Sequence, residues 1–389
     1  MQKSDGIYSL PKYGDMSAPA KKLRDFYAIK PGAPVYQKEF FFFTLGTWIE
    51  QGYLRKANEG EDYDAYLRGV FGYDQPAASF LNGLGWCEAA FLPAFEEEIL
   101  EDRGEYELVR DRAGRSVLYF KGRRNGFMPE YVDHPVKDFT TWERDVKWRL
   151  DPRASGRLER TAAFVDGAVK NAPEGNMNVQ NLIGGYMYLR SLMGPEDLLY
   201  NFVDQPELIH DCMKTWFELS DHVIAHHQKS VSLDEVFIAE DICYNHGSLI
   251  SPDMMGEFLI PYYQQLLDNI KKRNLDKNRH VYFQVDTDGD CRGVIDIYKA
   301  IGCDYMSPFE VASGCDVVEI GKKHPDLRIL GGIDKRVLAT SKEDIDRHID
   351  YIMPAMAERG GYIPTCDHGV PEEVSFENYM YYREKMKEY

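Results

Sequence analysis

From about residue 140 onward the apolar positions fall into a repeating order of short β-rich runs, each followed by a helical stretch. NMNVQNLI near 177–183, EVFIAE at 235–240, HVYFQVD at 280–286, CDYMSPFE at 303–310, LRILGGID at 327–334 and GYIP at 361–364 read as strands. Helical spacing fills the intervals: residues 206–229, Pro252 to about Arg273, VVEIGKKH, and SKEDIDRHIDYIMPAMAER. Strands that alternate with helices in this way predict βαβ units and a parallel sheet. Upstream, GWCEAAFLPAFEEEIL (85–100) carries apolar residues at helical spacing. EYELVRDRAGRSVLYFKG (105–122) alternates around the turn DRAG and predicts a β-hairpin insertion. The first 75 or so residues, rich in Pro, Gly, Tyr and charge, show no clean period. They read as an N-terminal extension (1–75) packing on one large body (76–389).

Several of the strands end in ionisable residues: Glu240 and Asp241, Asp286 and Asp288, Glu310, Asp334, and Asp367 with His368. A (β/α)8 barrel builds its site from the loops after the C-terminal ends of its strands, so one charged group per strand end describes a ring around one pocket. A doubly wound sheet would gather such groups at a single switch point. No GxGxxG or Walker A loop follows any strand, so nucleotide binding of those kinds has no support. The expected fold is a (β/α)8 TIM barrel with an N-terminal extension and a β-hairpin insertion.

Composition narrows the partners. Sixty-four acidic against 46 basic residues give a formal charge of -18, which repels nucleic acid and anionic membranes from most faces. A small molecule or a protein is the expected partner. Seven scattered cysteines without a CxxC pair argue against a disulfide framework and a structural zinc knuckle. The start, MQKSDGIYSLPKYGD, lacks the apolar core of a signal peptide, and the run FFFFTLGTWI is too short to span a bilayer. The expected location is cytoplasmic.

Four constellations carry candidate chemistry. In VDTDGD, Asp286 and Asp288 can hold a hard cation or steer a substrate cation, or they belong to an Asp-rich turn around Gly289. In the second, strand alternation lets only one of Glu240 and Asp241 face the lumen, the other capping a loop. His222 and His226 share a helix face but lack the Glu of an HExxH motif, so they and His227 read as surface residues. The fourth is IPTCDHGVP: Cys366, Asp367 and His368 follow a strand end, where the imidazole or the thiolate can ligate a metal or transfer a proton.

Taken together, HPVKDFTTWERD, YLRSLMGPEDLLYNFVDQPELI, AEDICYNHGSLISPDMMGEFLIPYY, QVDTDGD, GGIDKRVLA and DHGVPEEVSFENY resemble the uroporphyrinogen decarboxylase superfamily, on its methyltransferase-like branch. The superfamily also includes cobalamin-linked methyltransferases, and its fold is a (β/α)8 barrel. The arginine-rich MRQAGR-type loop of the porphyrinogen decarboxylases has no counterpart; PVYQKEFFFFTLGTW occupies that region. The methyltransferases' zinc-binding HxC falls on VDTDG, so Asp286 and Asp288 stand where His and Cys would be, and the last-loop Cys falls on or beside His368.

The resemblance implies a corrinoid-linked methyltransferase moving methyl between a small methylated donor, such as a methyl ether or amine, and a cobalamin carried by a partner protein. His368, Asp288 and Asp286 are the expected catalytic residues. Glu240, Asp241, Glu310, Asp334 and Asp367 are the expected substrate contacts. Asp286, Asp288, His368 and Cys366 are the expected ligands of any divalent metal, zinc included. A homodimer is common in the family. The alternatives are a decarboxylase of a porphyrin or other carboxylated substrate, and a binding barrel without catalysis.

Overall fold

A computed structural model describes residues 11–122 and 129–389. Its centre is a seven-stranded, all-parallel sheet that curls on itself. Numbered in chain order, its strands are β1 (Ala78–Leu81), β6 (Met177–Ile183), β7 (Glu235–Ala239), β10 (Tyr282–Asp286), β11 (Tyr305–Ser307), β12 (Arg328–Leu330) and β13 (Tyr362–Ile363), hydrogen-bonded in that order. The intervening β2 (Glu98–Arg103), β3 (Tyr106–Arg110), β4 (Ser116–Phe120) and β5 (Glu130–Asp133) form a separate antiparallel sheet; β8 (Cys243–Tyr244) and β9 (Gly247–Ser248) are a small ribbon. The pattern of residues 105–122 is thus the central pair of a four-stranded sheet, with β3 and β4 turning through Asp111–Arg115.

Helices cover the outside of the parallel sheet, so both of its faces are buried and a strand such as β7 is buried along its whole length and apolar after Glu235. Alternate side chains divide between two cores. Val236, Ile238, Phe283, Val285, Met306 and Ile329 pack outward against the helices. Val179, Phe237, Ala239, Tyr305, Leu330 and Ile363 point into the lumen. The helix Ala18–Tyr27 closes the lumen at the strands' N-terminal ends. Phe26 packs edge-on against Tyr305 at 5.1 Å and Tyr27 at 5.0 Å, and Arg24 pairs with the buried Asp234 at 3.0 Å.

Among the described residues, no hydrogen-bonded ladder joins β1 to β13. The extended residues 35–43, inside the stretch read from sequence as an extension, run along this seam instead. On one side Val370 N donates to Phe41 O and Phe43 N to Val370 O, both at 2.9 Å. On the other, Gln37 N donates to the Asp74 carboxylate at 2.7 Å and Tyr36 OH to Gln75 O at 3.0 Å. Because side chains take up many of these bonds, the segment makes only one bridge, Phe42 to Val370, rather than an eighth ladder.

Three local expectations change. Residues 85–97 form no helix but an irregular run into β2: Gly85 sits at φ 81°, and Pro93 removes a donor and restricts Leu92. The helix from Pro252 to Arg273 divides into Pro252–Phe258 and Ile260–Arg273 at Leu259, just before Pro261. His227 is buried rather than on the surface, with Nδ1 2.7 Å from Gln180 Oε1.

Candidate active site

The register places the acidic strand ends side by side. Asp286 pairs with Ala239 of β7 on one side and Ser307 of β11 on the other, so Glu240 and Asp241 leave their strand next to Asp286. A cavity of about 710 Å³ opens here, lined by Glu240, Asp241, Asp286, Asp288 and His368 together with Phe40, Phe41, Trp86, Arg115, Tyr131, His134 and Arg190. Both members of the Glu240–Asp241 pair reach it, against the alternation argument. Asp241 has φ 46°, and this left-handed turn ends the strand's two-residue period.

Glu240 is fully buried and sits against the start of the helix Gly185–Met193. One carboxylate oxygen accepts from Tyr186 N at 2.9 Å, and the other from Tyr263 OH at 2.5 Å. These bonds and the helix terminus favour the ionised form, yet burial prevails and pushes the carboxyl up to about 7. Gly184 makes this approach possible, since a Cβ there would lie 2.6 Å from Glu240 Oε2 and 2.7 Å from Ala239 O. Asp241 is paired with Arg190 at 2.5 Å.

Asp286 and Asp288 separate in character. Burial raises Asp286 to about 6, opposed by a short hydrogen bond from Ser307 Oγ and by the charge of Lys38. Asp288 is raised to about 8, first by burial and then by the crowding of Asp241, Asp286 and Glu310. Its Oδ2 lies 3.5 Å from His368 Nε2. Burial, followed by the nearby Lys335, pulls the imidazole down. At neutral pH the pair is therefore a protonated acid beside an uncharged imidazole.

Three phenylalanines from the seam surround that imidazole: the Phe41 ring meets it edge-on at 4.9 Å, Phe43 stacks at 5.9 Å, and Phe40 lies at 6.1 Å. Gly369 keeps the contact close, because a Cβ there would lie 2.3 Å from the Phe41 ring. Opposite, Trp86 lies flat on Phe237 at 5.0 Å and 7°, leaving its other face to the cavity. Arg115, from the antiparallel sheet, is held by Asp111 and Glu88 at 2.7 and 2.8 Å and covers the Tyr131 ring. His134 is driven down to about 4 by burial and by Arg115 and Lys137.

The other expected residues serve the frame. Asp367 is buried and accepts from Val311 N and Lys335 N at 2.9 and 3.1 Å. Glu310 accepts from Gly289 N at 2.9 Å and pairs with Lys335 at 3.0 Å, steadying the Asp288 loop. Asp334 is occupied by Arg336 at 2.7 Å. Cys366 lies in an isolated bridge with Ile333, fully buried, its thiol held well above the usual range by burial. None of these four lines the cavity. Among the described residues, no group of three His, Cys, Asp or Glu stands in a metal-holding arrangement, and of the four expected ligands Asp286, Asp288 and His368 line the cavity while Cys366 does not.

Sequence reasoning missed Trp86, Arg115, His134, Arg190 and the phenylalanine run as cavity residues. The available signal was FFFF itself, too many exposed rings in succession for an ordinary extension. Parallel strands whose C-terminal ends converge on an acid and imidazole cavity place the chain in the α/β class with a curled, TIM-like sheet. The family follows from the sequence: residues 130–389 match the profile described as Uroporphyrinogen decarboxylase (URO-D), and the chain belongs to that family. A uroporphyrinogen decarboxylase of Hydrogenobaculum sp. (strain Y04AAS1) is 23% identical over 132 residues, 34% of this chain and 36% of that relative. The match thus spans about a third of the relative's length. A solved methyltransferase from Methanosarcina mazei superposes with a TM-score of 0.59 over 95% of this chain and 98% of its own, at 14% identity, which is a likeness of fold.

Proposed function

We propose that the protein is a methyltransferase that takes a methyl group from a small neutral donor, such as a methyl ether, and passes it to reduced cobalamin carried by a partner protein. The observation that carries this reading is Asp288, its carboxyl pushed up to about 8 by burial and acidic neighbours, 3.5 Å from His368 in an aromatic-walled cavity. The chain-long likeness in fold to a methyltransferase supports it. Breaking the donor's C–O bond leaves the electron pair on oxygen, a poor leaving group until it is protonated. Asp288 supplies that proton, and His368 holds the carboxyl in place and returns a proton from solvent. Reduced cobalamin, when bound, would supply the electron pair that attacks the methyl carbon as the C–O bond breaks. It would approach across the cavity mouth, where Phe41, Trp86 and Tyr131 are exposed.

The carboxylates also bear on the donor's charge. Arg190 answers Asp241, Ser307 bonds to Asp286, and Tyr263 with Tyr186 N satisfies Glu240. A neutral donor therefore fits the cavity better than an ammonium. The decarboxylase reading meets the opposite difficulty. A polycarboxylate would need free cations, and both arginines of the wall are already paired.

The test is methylation of added reduced cobalamin, followed by its visible spectrum while methyl donors are screened. Asp288→Asn and His368→Ala are each expected to lower the rate by about 10²–10⁴-fold, the range of a lost general acid. Turnover of a porphyrinogen without any corrinoid would overturn the reading.

A further inference from the structure

Two thiols meet behind the loop that carries Asp288. Cys291 follows the acidic run 286–290 at the end of β10, and Cys315 ends the loop after β11, just before the helix Val317–Lys323. Their sulfurs lie 3.8 Å apart, and both residues are buried. All seven cysteines are free thiols, and among the described residues only these two are in contact.

Short links tie the pair to the donor cavity. Cys315 Sγ donates to Gly289 O at 3.5 Å, so the hydrogen in the 3.8 Å contact comes from Cys291. Gly289 N donates to the Glu310 carboxylate at 2.9 Å. Both backbone groups of the residue after Asp288 are thus held from the β11 loop. The cover over the sulfurs is thin. Arg292, Gly293 and Gly314 are exposed, and the turn Cys291–Gly293 is only three residues long. The Arg292 guanidinium, itself paired with Asp290 at 2.8 Å, lies 3.0 Å from where a Cβ on Gly314 would stand. Local opening of that short turn brings a small molecule to the sulfurs beside a cation that favours a thiolate.

From this geometry we propose that Cys291 and Cys315 form a redox modification site, closed to a disulfide by a hydroperoxide, and that closure displaces Asp288 and stops the donor chemistry. One thiolate attacks a peroxide oxygen, the O–O bond breaks, and the departing oxygen takes up the thiol's proton and leaves as water or alcohol. The second sulfur attacks the resulting sulfenic acid, the S–O bond breaks, and water leaves with the second proton. The two thiols lose two electrons and the peroxide gains them. The sulfurs must close from 3.8 Å to about 2.05 Å, and the S–H that held Gly289 O is consumed. A displacement of the Asp288 loop by about 1 Å suffices to slow the reaction about 100-fold. The effect on rate rests on the methyltransferase reading; the bridge does not.

The test exposes the full-length protein to hydrogen peroxide, removes it, and maps disulfides by peptide mass spectrometry before and after a dithiol reductant. A Cys291–Cys315 bridge is expected, with altered hydrogen exchange in the peptide spanning 286–292, and the reductant should restore both. Cobalamin methylation should fall about 100-fold on oxidation and recover on reduction. Cys291→Ser should keep its basal rate and ignore peroxide; should that variant fail to fold, the mapping on the unaltered chain still decides. A reversible bridge with the exchange change, but no methyl transfer in either form, would uphold the modification site and refute the methyltransferase reading alone. No bridge between Cys291 and Cys315, a bridge that takes Cys243 instead, or inhibition that persists in Cys291→Ser through Cys87 of the cavity wall would each overturn the inference.

Discussion

At the scale of single residues, the proposed chemistry rests on Asp288 being held highest among the buried acids, at about 8 against about 7 for Glu240 and about 6 for Asp286. Asp288, raised to about 8, can donate a proton only below that pH. Activity should therefore fall as pH rises through about 8, and the fall should vanish from the residual activity of Asp288→Asn. Gly369→Ala tests the imidazole's packing. The new Cβ would strike the Phe41 ring, which is partly exposed and free to swing away. The rate should drop about tenfold as His368 loses its edge contact, while Tm stays within a few degrees. Much of this was legible. Asp286, Asp288, Glu240, Asp241 and His368 all come to one cavity because strand ends in a parallel sheet share a face. Cys366 and Asp367 were not legible as frame residues, because backbone amides from Val311, Lys335 and Ile333's bridge, far away in sequence, engage them.

At the scale of elements, two close approaches hold the cavity floor and the lumen base. Gly184→Ala forces a Cβ against Ala239 O and Glu240 Cα, backbone atoms that cannot move aside. A loss of about 2–3 kcal/mol in denaturant unfolding is expected. At the base, burial lifts Glu235 at the start of β7 to about 8. Its folded form binds a proton more tightly than the unfolded chain, where a Glu titrates near 4.3. Its contribution to stability is thus complete below that pH and lost as pH rises towards about 8. The Tm of Glu235→Gln should gain on the native chain between pH 6 and pH 9. The strands were readable because apolar runs of the right length were bounded by turns and helices. Residues 85–97 were not, because their apolar side chains follow helical spacing yet serve a wall: Trp86 covers Phe237, and Phe91 packs on Phe95.

At the scale of the whole molecule, the curled parallel sheet was evident from the alternation of strands and helices, whereas its open seam was not. Nothing in the Pro-, Tyr- and Phe-rich start shows that residues 35–43 would lie between β1 and β13, since the contacts on one of the segment's two sides involve residues more than 300 positions away. The antiparallel sheet offers a test of modularity. Replacing residues 98–132 with a short Gly-Ser linker removes Arg115 and Tyr131 from the cavity wall but none of the parallel strands. Cooperative unfolding should persist, with the donor's KM raised. The seam has a consequence for cleavage of the chain. The phenylalanines that surround His368 precede every strand of the parallel sheet in the chain, and Val370 and Tyr389, whose backbones hold the segment in place, follow every one. The site is thus completed from both flanks of the sheet at once, so a cut that frees either flank should silence the protein while leaving most of its far-UV spectrum intact.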